Sequence, residues 1–267
     1  MWVVLFLVGV IMYLLYLLKN NKKLSYKCFL LTLPSSTNRR QKFLASHSKA
    51  VPLEIVYGVD TKSVENAKKY QNVVDPVYFK EALKIHYNRK RVKPDITYFN
   101  MGAIGCYMGH MEFYRRCFEQ GLKYAVIFED NVIVTNPNLY DEIQEVIDTM
   151  GDNFEICFFH CWARYPDGVH KNNIERVKWI SSTKCYLINV ENMQMYYKYF
   201  FPIDNHVDMK HEDIIARGAR IFYKDLRGFL NIDYTGGSTI VHTKYNKPNY
   251  FSRQYPTATP EILKPGY

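Results

Sequence analysis

Tyr124-Ala-Val-Ile-Phe-Glu129-Asp130-Asn131 sets an unbroken apolar run directly against two carboxylates and an amide. A short apolar run with β-branched and aromatic members reads as a strand buried on both faces. Acids that follow it without a spacer fall at the strand's carboxyl end, where open α/β sheets place their ligands. Upstream, 102–121 carries Ile104, Met108, Met111 and Cys117 at near-helical spacing and stops at Gly121. Downstream, a Pro/Asn turn introduces a helix over 139–150. The order is therefore helix, buried strand, acidic turn, helix.

The same alternation extends in both directions. Cys28-Phe-Leu-Leu-Thr-Leu33 is a short apolar strand, and Pro34-Ser-Ser-Thr-Asn38 supplies turn and cap chemistry for a helix over 39–47. A second strand at 53–57 leads through Gly58-Val-Asp60 into a polar helical stretch, and the charged run 84–93 reads as a solvated loop. Further strands are expected at 155–160, 183–189 and 220–223, and helices at 191–200 and 208–217. Strands alternating with helices after short turns predict an α/β domain with a mostly parallel sheet flanked by helices. No internal repeat or low-complexity linker divides it, so 27–267 reads as one domain.

The first 18 residues carry no charge, and Trp2 to Leu18 is apolar apart from Gly9. As a helix this run spans about 26 Å, close to the hydrocarbon thickness of a bilayer. Residues 1–18 therefore read as a transmembrane anchor and 19–26 as a basic linker. Lys19, Lys22 and Lys23 follow the apolar run, which by the positive-inside rule places the remainder in the cytoplasm. A signal anchor with a lumenal ER or Golgi domain is the alternative; the lack of any Asn-x-Ser/Thr sequon agrees with the cytoplasmic placement.

Composition narrows the function classes. The 267 residues are 48% hydrophobic and 23% charged, which excludes a disordered or collagenous chain. Lys and Arg number 35 against 26 Asp and Glu, a formal charge of +9. That balance suits anionic headgroups or a diphosphate, and because no nucleic-acid motif joins the run Arg89-Lys-Arg91, nucleic acid is not an expected partner. Cysteines 28, 106, 117, 157, 161 and 185 lie in segments that read as core, so they are expected as buried free thiols. Cys157 and Cys161 flank His160, but no second pair has finger spacing and structural zinc is not expected.

Several residues suggest chemistry by type and position. Glu129, Asp130 and Asn131 can hold a hard divalent cation, which would neutralise a diphosphate leaving group. Arg39 and Arg40 stand near a helix start, where positive charge is mildly unfavourable and a phosphate partner would justify it. Gly102 and Gly105 either let the backbone approach a ligand closely or mark a helix entrance. His110 sits within an apolar helical face. The acids Asp204, Asp208, Glu212 and Asp213 crowd about one helix N-terminus.

Three separated segments together resemble glycosyltransferase family 25, whose members include lipooligosaccharide and collagen galactosyltransferases. Leu30 to Arg40 is similar to the family's strand-turn-Arg-Arg opening. Met101-Gly-Ala-Ile-Gly105-Cys106-Tyr-Met-Gly-His110 is similar to its Gly-x-x-Gly-Cys-x-x-Ser-His segment, and Glu129-Asp130-Asn131-Val132 to its Glu-Asp-Asp-Val turn. Cys185-Tyr-Leu-Ile188, Pro202 to Asp208 and Gly237-Ser-Thr-Ile240 resemble later, less specific signatures, so the likeness spans roughly 27–242.

The resemblance implies a GT-A-like, nucleotide-sugar-binding fold and inverting transfer of a hexose, by analogy UDP-linked, to a glycan or glycoprotein acceptor. Arg39, Arg40, Gly102, Gly105, His110, Glu129 and Asp130 would bind the donor, and Asp130 with Asn131 would hold Mn²⁺ or Mg²⁺. A carboxylate must take the acceptor's proton. Asp208 matches the family's signature, Asp204 fits it about as well, and Glu212 and Asp213 are independent candidates. Two departures stand out: the turn's last acid is Asn131, which removes one charge from the expected metal site, and the serine before the histidine is Gly109. A catalytically impaired sugar- or nucleotide-binding relative is the alternative function, with a basic nucleic-acid-binding protein, drawing on the +9 charge and Arg89-Lys-Arg91, ranked after it.

Overall fold

The computed structural model describes residues 24–88, 99–169, 171–235 and 261–262. The expected anchor at 1–18, the linker as far as residue 23, the run Arg89 to Arg91 and the Gly237 segment lie outside these residues. Among the described residues no helix is long and apolar enough to cross a membrane.

A nine-stranded sheet forms the centre. Its strands are β1 (Tyr26–Thr32), β2 (Leu53–Tyr57), β3 (Tyr124–Glu129), β5 (Ile156–Phe158), β6 (Ala163–Val169), β7 (Ile174–Ser181), β8 (Cys185–Asn189), β9 (Ile221–Lys224) and β11 (Glu261–Ile262), in the order β11-β6-β7-β9-β5-β8-β3-β1-β2. A separate two-stranded ribbon pairs β4 (Val132–Val134) with β10 (Leu230–Ile232). The helices are α1 (Thr37–Ser46), α2 (Val64–Lys68), α3 (Pro76–Asn88), α4 (Met101–Glu119), α5 (Leu139–Met150), α6 (Val190–Gln194) and α7 (Val207–Ile215), with a 3₁₀ turn over Tyr197–Phe200.

Strand periodicity explains the two cores. Phe29, Leu31 and Ile127 face one side of the sheet with Ile104, Tyr107 and Met111 of α4. Cys28, Leu30, Val126 and Phe128 face the other, with Phe43 of α1 and Leu139, Ile143 and Ile147 of α5. Burial on both faces is why Cys28 to Leu31 of β1 and Tyr124 to Phe128 of β3 are continuously apolar rather than alternating. The Asn100 side chain caps α4 by accepting from the Ala103 N–H at 3.0 Å, and Gly151, with φ +56°, ends α5.

The sheet is mixed, which corrects the expectation of a mostly parallel one. β1 pairs in parallel with β2 and β3, and β5 with β9, but β8 runs antiparallel between β3 and β5. The hairpin β6–β7 then adds a further antiparallel edge. That hairpin escapes a pattern search because Pro166 and Gly168 interrupt β6 and its register shifts twice across the pair. Two other expectations are revised: Lys84 to Asn88 belong to α3 rather than to a loop, and the helix expected at 191–200 breaks into α6 and the 3₁₀ turn.

Candidate active site

The acidic turn stands where the sequence places it. In parallel register Leu31 of β1 lies beside Glu129, so β1 and β3 end together and Thr32 reaches the turn. The Thr32 hydroxyl donates to Asp130 Oδ2 at 2.8 Å, and an Arg39 guanidinium N–H reaches Asp130 Oδ1 at 3.4 Å from the first turn of α1. A cleft of about 390 Å³ opens over this point. Its floor is Glu129, Asp130 and Asn131; one wall is the β1 end and the loop Gly58 to Lys62, with Gly102 and Gly105 of α4. Trp162, Lys184 and Tyr234 form the other side.

The two carboxylates are held in opposite electrostatic settings. Lys184 Nζ lies 2.5 Å from Glu129 Oε2, and the Thr183 hydroxyl donates to Oε1 at 2.7 Å. Burial alone would raise the Glu129 carboxyl; the Lys184 ammonium and His110 outweigh it and hold Glu129 well below the usual carboxylate range. Burial instead prevails at Asp130, raising its carboxyl above the ordinary value despite Thr32 and Arg39. A dication beside Asp130 would reverse that shift. Asn131 is buried, and among the described residues its Oδ1 finds no hydrogen-bond donor. An orphaned amide oxygen next to a carboxylate is an oxygen donor pair suited to Mn²⁺ or Mg²⁺.

His110 is fully buried beneath the cleft rather than lining it. Its Nδ1 shares a 2.8 Å hydrogen bond with the Tyr186 hydroxyl, and its Nε2 points at Glu129 Oε1 from 3.8 Å. The imidazole acts on the floor through Glu129. Cys106, one turn earlier on α4, completes a group of three potential metal ligands with His110 and Glu129, all within 4.8 Å. The Cys106 thiol is pushed up by burial and next by the charge of Glu129, so it is neutral at physiological pH. Cys157 and Cys161 are buried free thiols, as expected.

Not every sequence candidate reaches the cleft. Arg40 donates to the Leu33 and Pro34 carbonyls at 3.1 and 3.3 Å and braces the β1–α1 turn. Gly105 does not serve a ligand alone: a Cβ there would lie 2.3 Å from the Val59 carbonyl oxygen, so its absence lets α4 press against the cleft loop. Asp204 and Asp213 both pair with Lys210 Nζ at 2.8 Å. Glu212 is half-buried on α7, off the cleft lining. Asp208 accepts the Ser182 N–H at 3.3 Å and the Met209 N–H at 3.1 Å, and its charge bears on Cys106 together with those of Glu129 and Asp130. Ser182 has φ +118°, a conformation that costs a non-glycine residue energy, and it immediately precedes Thr183 and Lys184. Asp208 thus secures the segment that grips Glu129.

Thr32, Thr183, Lys184, Trp162 and Tyr234 were not singled out by the sequence. A lysine just before an apolar strand is a weak signal, and it gains meaning only when β8 lies against β3 and the Lys184 carbonyl accepts the Glu129 N–H at 2.8 Å.

Fold and cleft together define an α/β protein whose ligand crevice opens at the carboxyl ends of its parallel strands, with paired acids and flanking cations at its floor. The chain belongs to glycosyltransferase family 25: residues 25–211, most of its length, match the family described as glycosyltransferase family 25 (LPS biosynthesis protein). No curated protein sequence is detectably similar to the chain. Among solved structures it is similar to UDP-glucose pyrophosphorylase complexed with UDP-glucose, at 10% identity over 75% of this chain and 90% of that one, TM-score 0.43. It is also similar to a UTP-bound UGPase from Acinetobacter baumannii, at 7% identity over 78% and 88%, TM-score 0.44. A glycosyltransferase involved in the glycosylation of the major capsid of PBCV-1 matches at 10% identity over 75% and 81%, TM-score 0.39.

Proposed function

We propose that the protein transfers a hexose from a nucleoside diphosphate sugar, UDP-linked by family analogy, to a hydroxyl of a glycan or glycoprotein, with inversion. The observation that carries this reading is the buried acidic turn at the end of β3, flanked by Arg39 and open to the cleft. Asp130 and Asn131 would hold a divalent cation, and that ion, when bound, neutralises charge on the departing diphosphate. Arg39 supplies further positive charge toward the phosphates. Lys184 and His110 fix the Glu129 carboxylate beneath them. None of the four candidate acids lines the cleft itself; Asp208 is the preferred base because its charge acts on Cys106 together with those of Glu129 and Asp130, while Asp204 and Asp213 are paired with Lys210.

Hydrolysis of a panel of nucleotide sugars without acceptor tests the reading. We expect one UDP-hexose to be cleaved, with cleavage lost in Asp130→Asn; a folded wild-type protein that neither binds nor cleaves any of the panel overturns it. Asp208→Asn should cut transfer by orders of magnitude while UDP affinity stays near wild type; near-normal transfer would remove Asp208 from the base role. Asn131 favours a second reading, a relative that binds a nucleotide sugar without turning it over, because an amide brings no charge to the ion. Binding without cleavage would select it. Asn131→Asp should tighten Mn²⁺ in calorimetric titration with UDP present, and equal affinity would exclude Asn131 as a ligand. Membrane attachment through 1–18 with a cytoplasmic domain belongs to the same proposal, and protease digestion of the domain on sealed vesicles would support it.

A further inference from the structure

Trp162 and Tyr234 are large rings left open at the cleft, 38% and 47% exposed, in a domain whose other aromatics are mostly buried. Their centroids lie 5.3 Å apart at an interplanar angle of 41°, so the two rings make one bent apolar surface. Neither ring stands on a loose segment. The Trp162 backbone N–H donates to the Ser181 carbonyl at 3.1 Å, and the indole meets the His160 ring edge-on at 5.9 Å. Tyr234 follows Asp233, whose N–H bonds to the Asn131 carbonyl at 2.7 Å and whose carboxylate takes Lys42 at 2.7 Å. The backbone beside one ring is therefore tied to the acidic turn.

Sheet order separates Trp162 from the other wall, and Tyr234, carried at the end of the β4–β10 ribbon, joins Trp162 through their ring contact. The ends of β1 and β2, with Arg39 and the Gly58 to Lys62 loop, lie on one side of β3. Trp162 lies beyond β5, and Lys184 precedes β8, both on the opposite side. If the donor's phosphates meet Arg39 and Asp130, the rings occupy the half of the cleft that the nucleotide leaves free. There an apolar wall adjoins a floor of Lys184, Glu129 and Asn131. A ligand matching both surfaces has one apolar face and a rim of hydroxyls. A pyranose has that form: its axial C–H bonds carry slight positive charge toward the electron-rich ring faces, and its hydroxyl edge meets the charged groups.

We propose that Trp162 and Tyr234 form the acceptor subsite and that the acceptor group is a pyranose ring, so that the chain extends a carbohydrate rather than glycosylating an amino-acid side chain. This rests on the glycosyltransferase reading of the cleft. The full-length protein, with UDP and Mn²⁺ present, is titrated with methyl glycosides of galactose, glucose, mannose and N-acetylglucosamine while Trp emission is followed; UDP affinity is measured separately by calorimetry. We expect at least one glycoside to give a saturable change in the millimolar range. Trp162→Phe should abolish that signal, Trp2 and the buried Trp179 serving as background. Tyr234→Ala should weaken the glycoside tenfold or more while UDP affinity moves less than twofold.

No saturable change with any glycoside at tens of millimolar, in protein that binds UDP, overturns the subsite and leaves the donor reading standing. Glycoside binding in protein that binds no UDP supports the subsite and counts against the donor reading. Weakening of UDP rather than glycoside by Tyr234→Ala assigns the rings to the nucleobase and overturns the proposal.

Discussion

Lys184 is the residue on which the floor of the cleft depends. Its ammonium and Glu129 are mostly withdrawn from water, at 20% and 16% side-chain exposure, and removal of one partner leaves the other charge uncompensated. Lys184→Met should lower unfolding free energy by about 2–4 kcal/mol, and adding Glu129→Gln should restore part of it. Urea unfolding of the four variants closes that cycle; additivity of the two changes would show that the pair is not coupled. His211 gives a pH dependence. Burial against Phe158 and Phe200, with His110 nearby, pushes it down to about 3, and burial pushes His160 down to about 4. The unfolded chain therefore binds protons that the folded one does not as pH falls below about 6.5, and stability present above that value is lost. Each histidine should cost about 2 kcal/mol between pH 7 and 5. Urea midpoints at the two pH values should fall less in His211→Leu than in wild type.

At the scale of elements, two glycines of α4 differ in what they face. A Cβ at Gly105 would meet the Val59 carbonyl oxygen at 2.3 Å and Thr61 Oγ1 at 2.6 Å, while one at Gly109 would meet the Leu31 Cδ1 methyl at 2.8 Å. Backbone cannot yield as a leucine rotamer can. Gly105→Ala should therefore cost about 2–3 kcal/mol and weaken UDP binding by displacing the cleft loop, whereas Gly109→Ala should cost about 1 kcal/mol or less. Equal losses in the two variants, measured by thermal unfolding, would contradict this account. The same contact accounts for the Gly-x-x-Gly spacing of α4: the entrance glycine borders the cleft and the next admits the loop. Gly109 stands where relatives are expected to carry serine, and its closeness to Leu31 and Gly58 shows α4 pressed tightly on β1 and β2 here.

At the scale of the molecule, the cleft draws on residues from Thr32 to Tyr234, so a bound nucleotide holds together segments far apart in the chain. A ligand that binds only the folded state stabilises it, by about 2.7 kcal/mol at a hundredfold excess over Kd. For a domain of this size UDP with Mn²⁺ should raise Tm by about 5–10 °C. Asp130→Asn should abolish the shift. An unchanged shift in that variant would place the nucleotide away from the acidic turn.

The sequence by itself determined the α/β class, the buried strand β3, the acidic turn at its end and the helix after it, because a run buried on both faces and an abrupt change to carboxylates are local signals. It also marked Arg39, Gly102 and Gly105, which reach the cleft because β1 pairs with β3 and α4 leads into β3. Tertiary structure alone decided that β8 enters antiparallel, since strand direction depends on which neighbour wins the edge of β3 and not on composition. That insertion brings Lys184 to Glu129 and turns a bare acidic turn into a charge-balanced floor. Arg40 and Arg39 are adjacent in the chain, yet one braces a turn and the other faces the cleft, because successive helical side chains point about 100° apart. Trp162 and Tyr234 are 72 positions apart, and only the closure of the β4–β10 ribbon onto the acidic turn makes them one surface.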